Sequence, residues 1–109
     1  MPETRKILGQ IALASEILTD VYLVPARTQA VNSTIFISNT SGSNRSFRIS
    51  VANAGEADTL KQYLYYDIPI PKNTSFVFTT GITLNTGDII RAYASGSGIS
   101  VNIFGVEIS

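Results

Sequence analysis

The stretch "LNTGDIIRAYASGSGISVNIFGVEI", residues 84 to 108, carries two alternating runs separated by small residues. In the first run Ile90, Ala92 and Ala94 fall on one side, with Arg91, Tyr93 and Ser95 on the other. In the second, Ile99, Val101 and Ile103 keep the same period. Period two sends successive side chains to opposite faces, so each run reads as a strand with one buried face. After Ile103 the apolar set changes phase to Phe104, Val106 and Ile108, and beside Gly105 this predicts a β-bulge. Gly87 and Asp88 precede the first run. Glycine tolerates positive φ and an aspartate carboxylate accepts backbone N–H groups across a turn. The pair therefore reads as a structural corner in preference to a ligand site.

The same period recurs upstream. "STIFISN" (33 to 39) sets Ile35 and Ile37 against Thr34, Phe36 and Ser38, and "SFRISVA" (46 to 52) sets Phe47, Ile49 and Val51 against Ser46, Arg48 and Ser50. The polar loop between them, residues 39 to 45, predicts a hairpin. "SGSG" at 95 to 98 predicts a second. "TDVYLV" stops at Pro25, and "QYLYYDI" stops at Pro69, because proline cannot donate to a ladder. In the latter, Leu64, Tyr66 and Ile68 are expected on one face and Tyr63, Tyr65 and Asp67 on the other. "SFVFT" adds Phe76 and Phe78. Helical periodicity is weak, with at most one turn in "GEADTLKQYL" (55 to 64). Seven or eight short strands bounded by Gly, Pro, Asn and Ser predict an all-β, antiparallel β-sandwich, with the jelly roll among its forms.

Composition narrows the function. A chain of 109 residues suffices for one domain. With no cysteine or histidine it lacks a disulfide, a thiolate nucleophile and the commonest general base and metal ligand. Its 8 basic and 8 acidic residues are scattered, so no cationic patch is expected to bind nucleic acid. No apolar run is long enough for a transmembrane helix. Arg5 and Lys6 precede a short apolar stretch, but Gly9 and Gln10 interrupt it, and a cleaved leader is not expected. The carboxylates show no metal-ligand rhythm, so the reading is a non-enzyme without cofactor, metal or catalytic residues. Charged residues are only 15%, against about 25% in ordinary soluble domains. A surface so poor in charge fits one partly covered by other subunits.

Two groups are candidates for such contacts. Residues 1 to 14 read as an N-terminal arm or edge strand beside a sandwich domain of residues 15 to 109. Within that segment Ile7, Leu8, Ile11 and Leu13 supply apolar side chains that a neighbour can cover. Tyr63 and Tyr65 form the second group. Cross-strand packing, a subunit interface and a sugar-stacking platform are all open to tyrosines so placed.

The succession "VYLVPA" (21 to 26), "FISNTSG" (36 to 42), "FRISVANAG" (47 to 55), "YYDIPI" (65 to 70), "LNTGDIIRAYAS" (84 to 95) and "NIFGVEI" (102 to 108) resembles small single-domain structural proteins of tailed bacteriophages. The likeness covers residues 7 to 109. It implies a virion component made in the host bacterial cytoplasm: a capsid decoration or cement protein on the head, or a tail or fibre component. Its implied partners are the major capsid protein or other virion subunits. It also implies a homo-oligomer, with a trimer the first form suggested by capsid symmetry. Gly87 and Asp88 are a corner in that pattern too. A carbohydrate-binding module is the reading from a different class.

Overall fold

The alternating runs become eight strands, and the computed structural model describes residues 3 to 109. In chain order these are β1 Glu3–Ala12, β2 Thr19–Leu23, β3 Gln29–Asn39, β4 Arg45–Ala52, β5 Tyr63–Ile70, β6 Thr74–Leu84, β7 Ile89–Ala94 and β8 Ile99–Ile108. One sheet has the order β1-β8-β3-β6 and the other β2-β7-β4-β5. Every pairing is antiparallel.

The pairs β1·β8, β2·β7, β3·β6 and β4·β5 describe one long two-stranded ribbon bent at its middle. Folding that ribbon places β1·β8 beside β3·β6 through a β8·β3 ladder, and β2·β7 beside β4·β5 through a β7·β4 ladder. This is the jelly-roll arrangement of a β-sandwich. It is favourable because each half-ribbon has one apolar face, and stacking the two sheets removes both faces from water. Ile35, Ile37, Ile49, Ile90, Ala92, Ile99, Val101 and Ile103 are fully buried between them. Phe47, also buried, packs its ring 6.0 Å from Phe78, 6.3 Å from Phe76 and 6.4 Å from Tyr65.

Two local expectations change. The loops at 39 to 45 and 95 to 98 cross between sheets and close no hairpin, because β3 and β4, like β7 and β8, lie in opposite sheets. A polar Gly-Ser loop marks a reversal without specifying which sheet receives the next strand. Only β4 and β5 are successive and paired, and the segment between them contains two 3-10 turns, Asn53–Gly55 and Leu60–Gln62. Second, β8 keeps its phase throughout. The extra residues lie on its partners, where the registers shift between Ile7 and Gly9 on β1 and between Asn32 and Thr34 on β3. A Cβ at position 105 would collide with the Val31 carbonyl oxygen, so Gly105 lets β3 bulge against it.

The described part of residues 1 to 14 lies within the sandwich. β1 is the edge strand of its sheet, and Leu8 and Leu13 are buried in the chain's own core. The bulge at Leu8 turns that side chain inward.

Two polar side chains clamp opposite ends of the sandwich. At one end, buried Asp88 accepts the backbone N–H of Asn85 through Oδ2 (2.9 Å) and that of Ala54 through Oδ1 (2.8 Å). Its own backbone carbonyl accepts from Val24 N–H (3.0 Å), and Gly87, at φ 91°, donates to Val24 O (3.1 Å). Three separate connections therefore meet at this corner. At the other end, buried Asn39 donates through Nδ2 to Ser43 O (2.8 Å) and Ile70 O (3.1 Å). Its Oδ1 accepts from Ser41 N–H (3.0 Å) and Ser41 Oγ (2.6 Å).

Replacing Asp88 by alanine leaves two backbone donors without their charged acceptor. It is expected to lower unfolding free energy by about 2–4 kcal/mol in urea titration. Asp88→Asn should also destabilise, because its amide NH2 faces one of the same donors. An unchanged midpoint in both variants would contradict the clamp.

Candidate interaction surfaces

Residues directly opposite in an antiparallel ladder share a face, so the register defines the outer surface of the β1-β8-β3-β6 sheet. One row across it is Ile7, Phe104, Thr34 and Thr79. The next is Gln10, Asn102, Phe36 and Val77, and a third is Ala12, Ser100, Ser38 and Ser75. None of these side chains is charged. Arg5 flanks Val106, Val31 and Thr83 at one end.

Short polar groups on this face bond to one another. Gln10 Nε2 donates to Asn102 Oδ1 (2.6 Å), and the hydroxyls of Ser38 and Ser75 lie 3.0 Å apart. Phe36 and Phe104 meet edge to face at 5.5 Å, with Phe36 39% exposed, Ile7 48% and Val77 54%. Two shallow hollows open here. One, of about 520 Å³, is lined by Arg5, Lys6, Ile7, Ser33, Phe104 and Val106; the other, of about 240 Å³, is lined by Phe36, Ser38, Asn102 and Phe104. The apolar shift at Phe104, Val106 and Ile108 that suggests a bulge in the sequence is the mark of this outward face.

The outer face of the other sheet is different in kind. Arg48 donates to Asp67 through Nε (2.6 Å) and Nη2 (3.3 Å), and its guanidinium lies 4.2 Å from the Tyr66 ring centre and 4.4 Å from that of Tyr93. The Asp67 hydrogen bond is the main reason that Arg48 is held above its ordinary pKa. Arg91 pairs with Asp20 (3.0 Å) and donates to Glu56 O (2.9 Å). These charges satisfy one another within the chain.

The sequence-selected residues divide between surface and core. Ile7 is exposed on the uncharged face, Ile11 packs partly against the core, and Leu8 and Leu13 are inside. Tyr63 and Tyr65 do not share a face. Asp67 adopts φ 51°, and the β4·β5 register shifts on both sides of Ile49, so the simple alternation fails. Tyr65 turns toward the core and stacks on Phe78 at 4.4 Å. Tyr63 instead meets Tyr66 edge to face at 5.0 Å, and partial burial followed by the Asp58 hydrogen bond raises its pKa. Leu64 and Tyr66 are about half exposed. Gly87 and Asp88 form the corner described above. Phe36 and Val77, isolated apolar residues on the polar side of a strand, carry no distinctive spacing in the sequence, and Phe104 is marked there only by the phase change.

Among the described residues no group of three or more acidic side chains is arranged to hold a metal ion. No helix is long and apolar enough to cross a membrane. A polar link joins the sheets near β1: Tyr22 OH donates to Glu107 Oε2 (2.6 Å), and Lys6 Nζ lies 3.2 Å from Glu107 Oε1. Burial, with Glu107 beside it, raises the Tyr22 phenol so that it remains the donor. The Tyr22 hydrogen bond, helped by Lys6, holds the Glu107 carboxyl below its ordinary value.

No protein-family model matches this chain, and no curated protein matches it. Among solved structures, a chain in the structure of infectious bursal disease virus, Gx strain, superposes with a TM-score of 0.51 at 9% identity. The match covers 97% of this chain and 30% of that one, so the present chain spans less than a third of its neighbour's length. The likeness is one of fold: a virus structure contains the same architecture.

The Glu107 link has a pH signature. A carboxyl depressed in the folded state stabilises fully above its unfolded pKa, and that contribution disappears as pH falls through the folded value. The wild-type advantage in Tm over Glu107→Gln should therefore be constant near neutrality and shrink as pH falls below about 4. A difference that does not change with pH would contradict the assignment.

Proposed function

We propose that this protein is a non-enzymatic structural component of a tailed-phage virion, most simply a decoration or cement protein on the head. In this reading it lies with the β1-β8-β3-β6 face against other virion subunits. The observation that carries the reading is the three uncharged central rows on the outer surface of that sheet, with Phe36, Phe104, Ile7 and Val77 rising from a lawn of Ser, Thr, Asn and Gln. Interface centres are depleted of charge and enriched in aromatic residues in this way. The sequence resemblance and the occurrence of the fold in a virus structure agree with the proposal.

The mechanism is adhesive. Each copy covers part of the shell and contributes modest apolar contacts, and many copies on a repeating lattice act together through avidity. Intrachain pairing of Arg48 with Asp67 and of Arg91 with Asp20 leaves the opposite sheet hydrated and suited to face solvent. A sugar platform of Tyr63 with Tyr65 gains no support, because Tyr65 is engaged with Phe78.

Gold-labelled antibody on purified virions tests the location, with label distributed over the head expected. Label confined to the tail would replace the head assignment with a tail role, and unlabelled virions would overturn both. Phe36→Asp should fold with a near-normal Tm, since the ring is partly exposed, and should lose at least tenfold in binding to heads, about 1.4 kcal/mol. Normal head binding by that variant would show that this face is not the docking surface.

A further inference from the structure

The sandwich has four free edges, and they are not equally protected. An edge strand presents unpaired N–H and C=O groups, and proteins guard it with charge, proline, bulges or shortness. β1 carries Glu3, Arg5 and Lys6 and bulges at Leu8. β2 has only 5 residues and includes Asp20, which pairs with Arg91. β5 contains Asp67 and Pro69 and has two register shifts. β6, at 11 residues, has neither charge nor proline. Its irregularity falls between Thr79 and Ile82, which leaves the run Thr74–Thr79 straight.

A second observation falls on the same edge. Where β5 and β6 border the mouth of the sandwich, the inner aromatic residues remain partly exposed. Tyr65 stacks on Phe78 at 4.4 Å, and Phe76 lies 6.2 Å from Phe78 at 70°. These rings complete the core and also form a rim beside the open β6 ladder.

We propose that β6 pairs antiparallel with β6 of a second copy of this chain, joining the two outer sheets into one continuous sheet about a two-fold axis. The chemistry favours self-pairing. A two-fold contact sets the same patch against itself, so any charge near the axis meets its like, and β6 has none. A two-fold axis normal to the sheet keeps inner side chains inner only when it passes through a residue. With Val77 on the axis, Ser75 faces Thr79 of the copy on the outer side, and Phe76 faces Phe78 on the inner side. Cross-strand aromatic pairs and hydroxyl pairs are favourable neighbours. A three-fold ring would require β6 to pair with a different edge, and each of the others is short, charged or bulged.

The contact is small. Six residues span about 20 Å; with the molecule's shortest extent of 19 Å, the strip covers about 380 Å² on each copy. The total of about 760 Å² lies below the roughly 1,200 Å² of stable dimers, so association should depend on concentration. This inference does not require the virion role.

Sedimentation velocity of the full chain, up to about 1 mM, is the test. A reversible monomer–dimer equilibrium is expected. Val77→Lys, at a site already 54% exposed, should remain folded and shift dissociation at least tenfold weaker. Thr79→Lys serves as a second variant should the first not fold, and Ile7→Lys, on the far edge of the same sheet, should dimerise as wild type. A monomer throughout, a trimer, or unchanged association of the folded β6 variants would overturn the proposal.

Discussion

The Asp88 carboxylate is the contact on which one whole end of this sandwich converges. A jelly roll sends its chain repeatedly from one sheet to the other, and every crossing takes backbone groups out of a ladder. Asp88 receives one such group from Asn85 and another from Ala54 in the β4-to-β5 connection, while its own carbonyl receives Val24. The β2-to-β3, β4-to-β5 and β6-to-β7 connections are thus held at one point. Thr86 and Thr28 reinforce it: Thr28 N–H donates to Thr86 Oγ1 (3.1 Å), and that hydroxyl donates to Thr28 O (2.6 Å). Asn39 does comparable work at the other end with a neutral amide. An ionised group at a corner of this sort needs no ligand to explain it, since charge-assisted bonds to backbone N–H groups satisfy it.

The strands were legible in the sequence because period two is a local property. The buried sets Ile35/Ile37, Phe47/Ile49, Ile90/Ala92/Ala94 and Ile99/Val101/Ile103 follow directly from alternation. Pairing was less legible. The loops at 39 to 45 and 95 to 98 have the composition of hairpin turns, and the choice of sheet depends on distant strands. The β5 faces were obscured by Asp67, a residue that tolerates positive φ and so leaves no glycine to advertise the bulge. Leu8 and Leu13 were legible as apolar but not as core, since β1 pairs with a strand almost a hundred residues away. Asn39 lay within a commonplace Asn-Thr-Ser-Gly run whose only hint was the serine two positions on, whose backbone N–H donates to Asn39 Oδ1 in an Asx turn.

The two outer faces explain why the low overall charge matters. One keeps paired charges and tyrosines in contact with water; the other is nearly free of charge and bears exposed phenylalanines. A monomer gains nothing from the second arrangement, because apolar area left in water contributes no stability and promotes association. Under the proposed role both features belong to one device: an adhesive face toward the particle and a hydrated face away from it. The edge β6 belongs to the adhesive sheet, so contacts between copies and contacts with the shell would reinforce each other.

The most direct measurement is an electron cryomicroscopy reconstruction of the virion that carries this protein. The account requires jelly-roll density on the particle, with the β1-β8-β3-β6 face packed against the subunits beneath and the Arg48–Tyr66–Tyr93 face toward solvent. Density in the opposite orientation, or a virion from which the protein is absent, would contradict it.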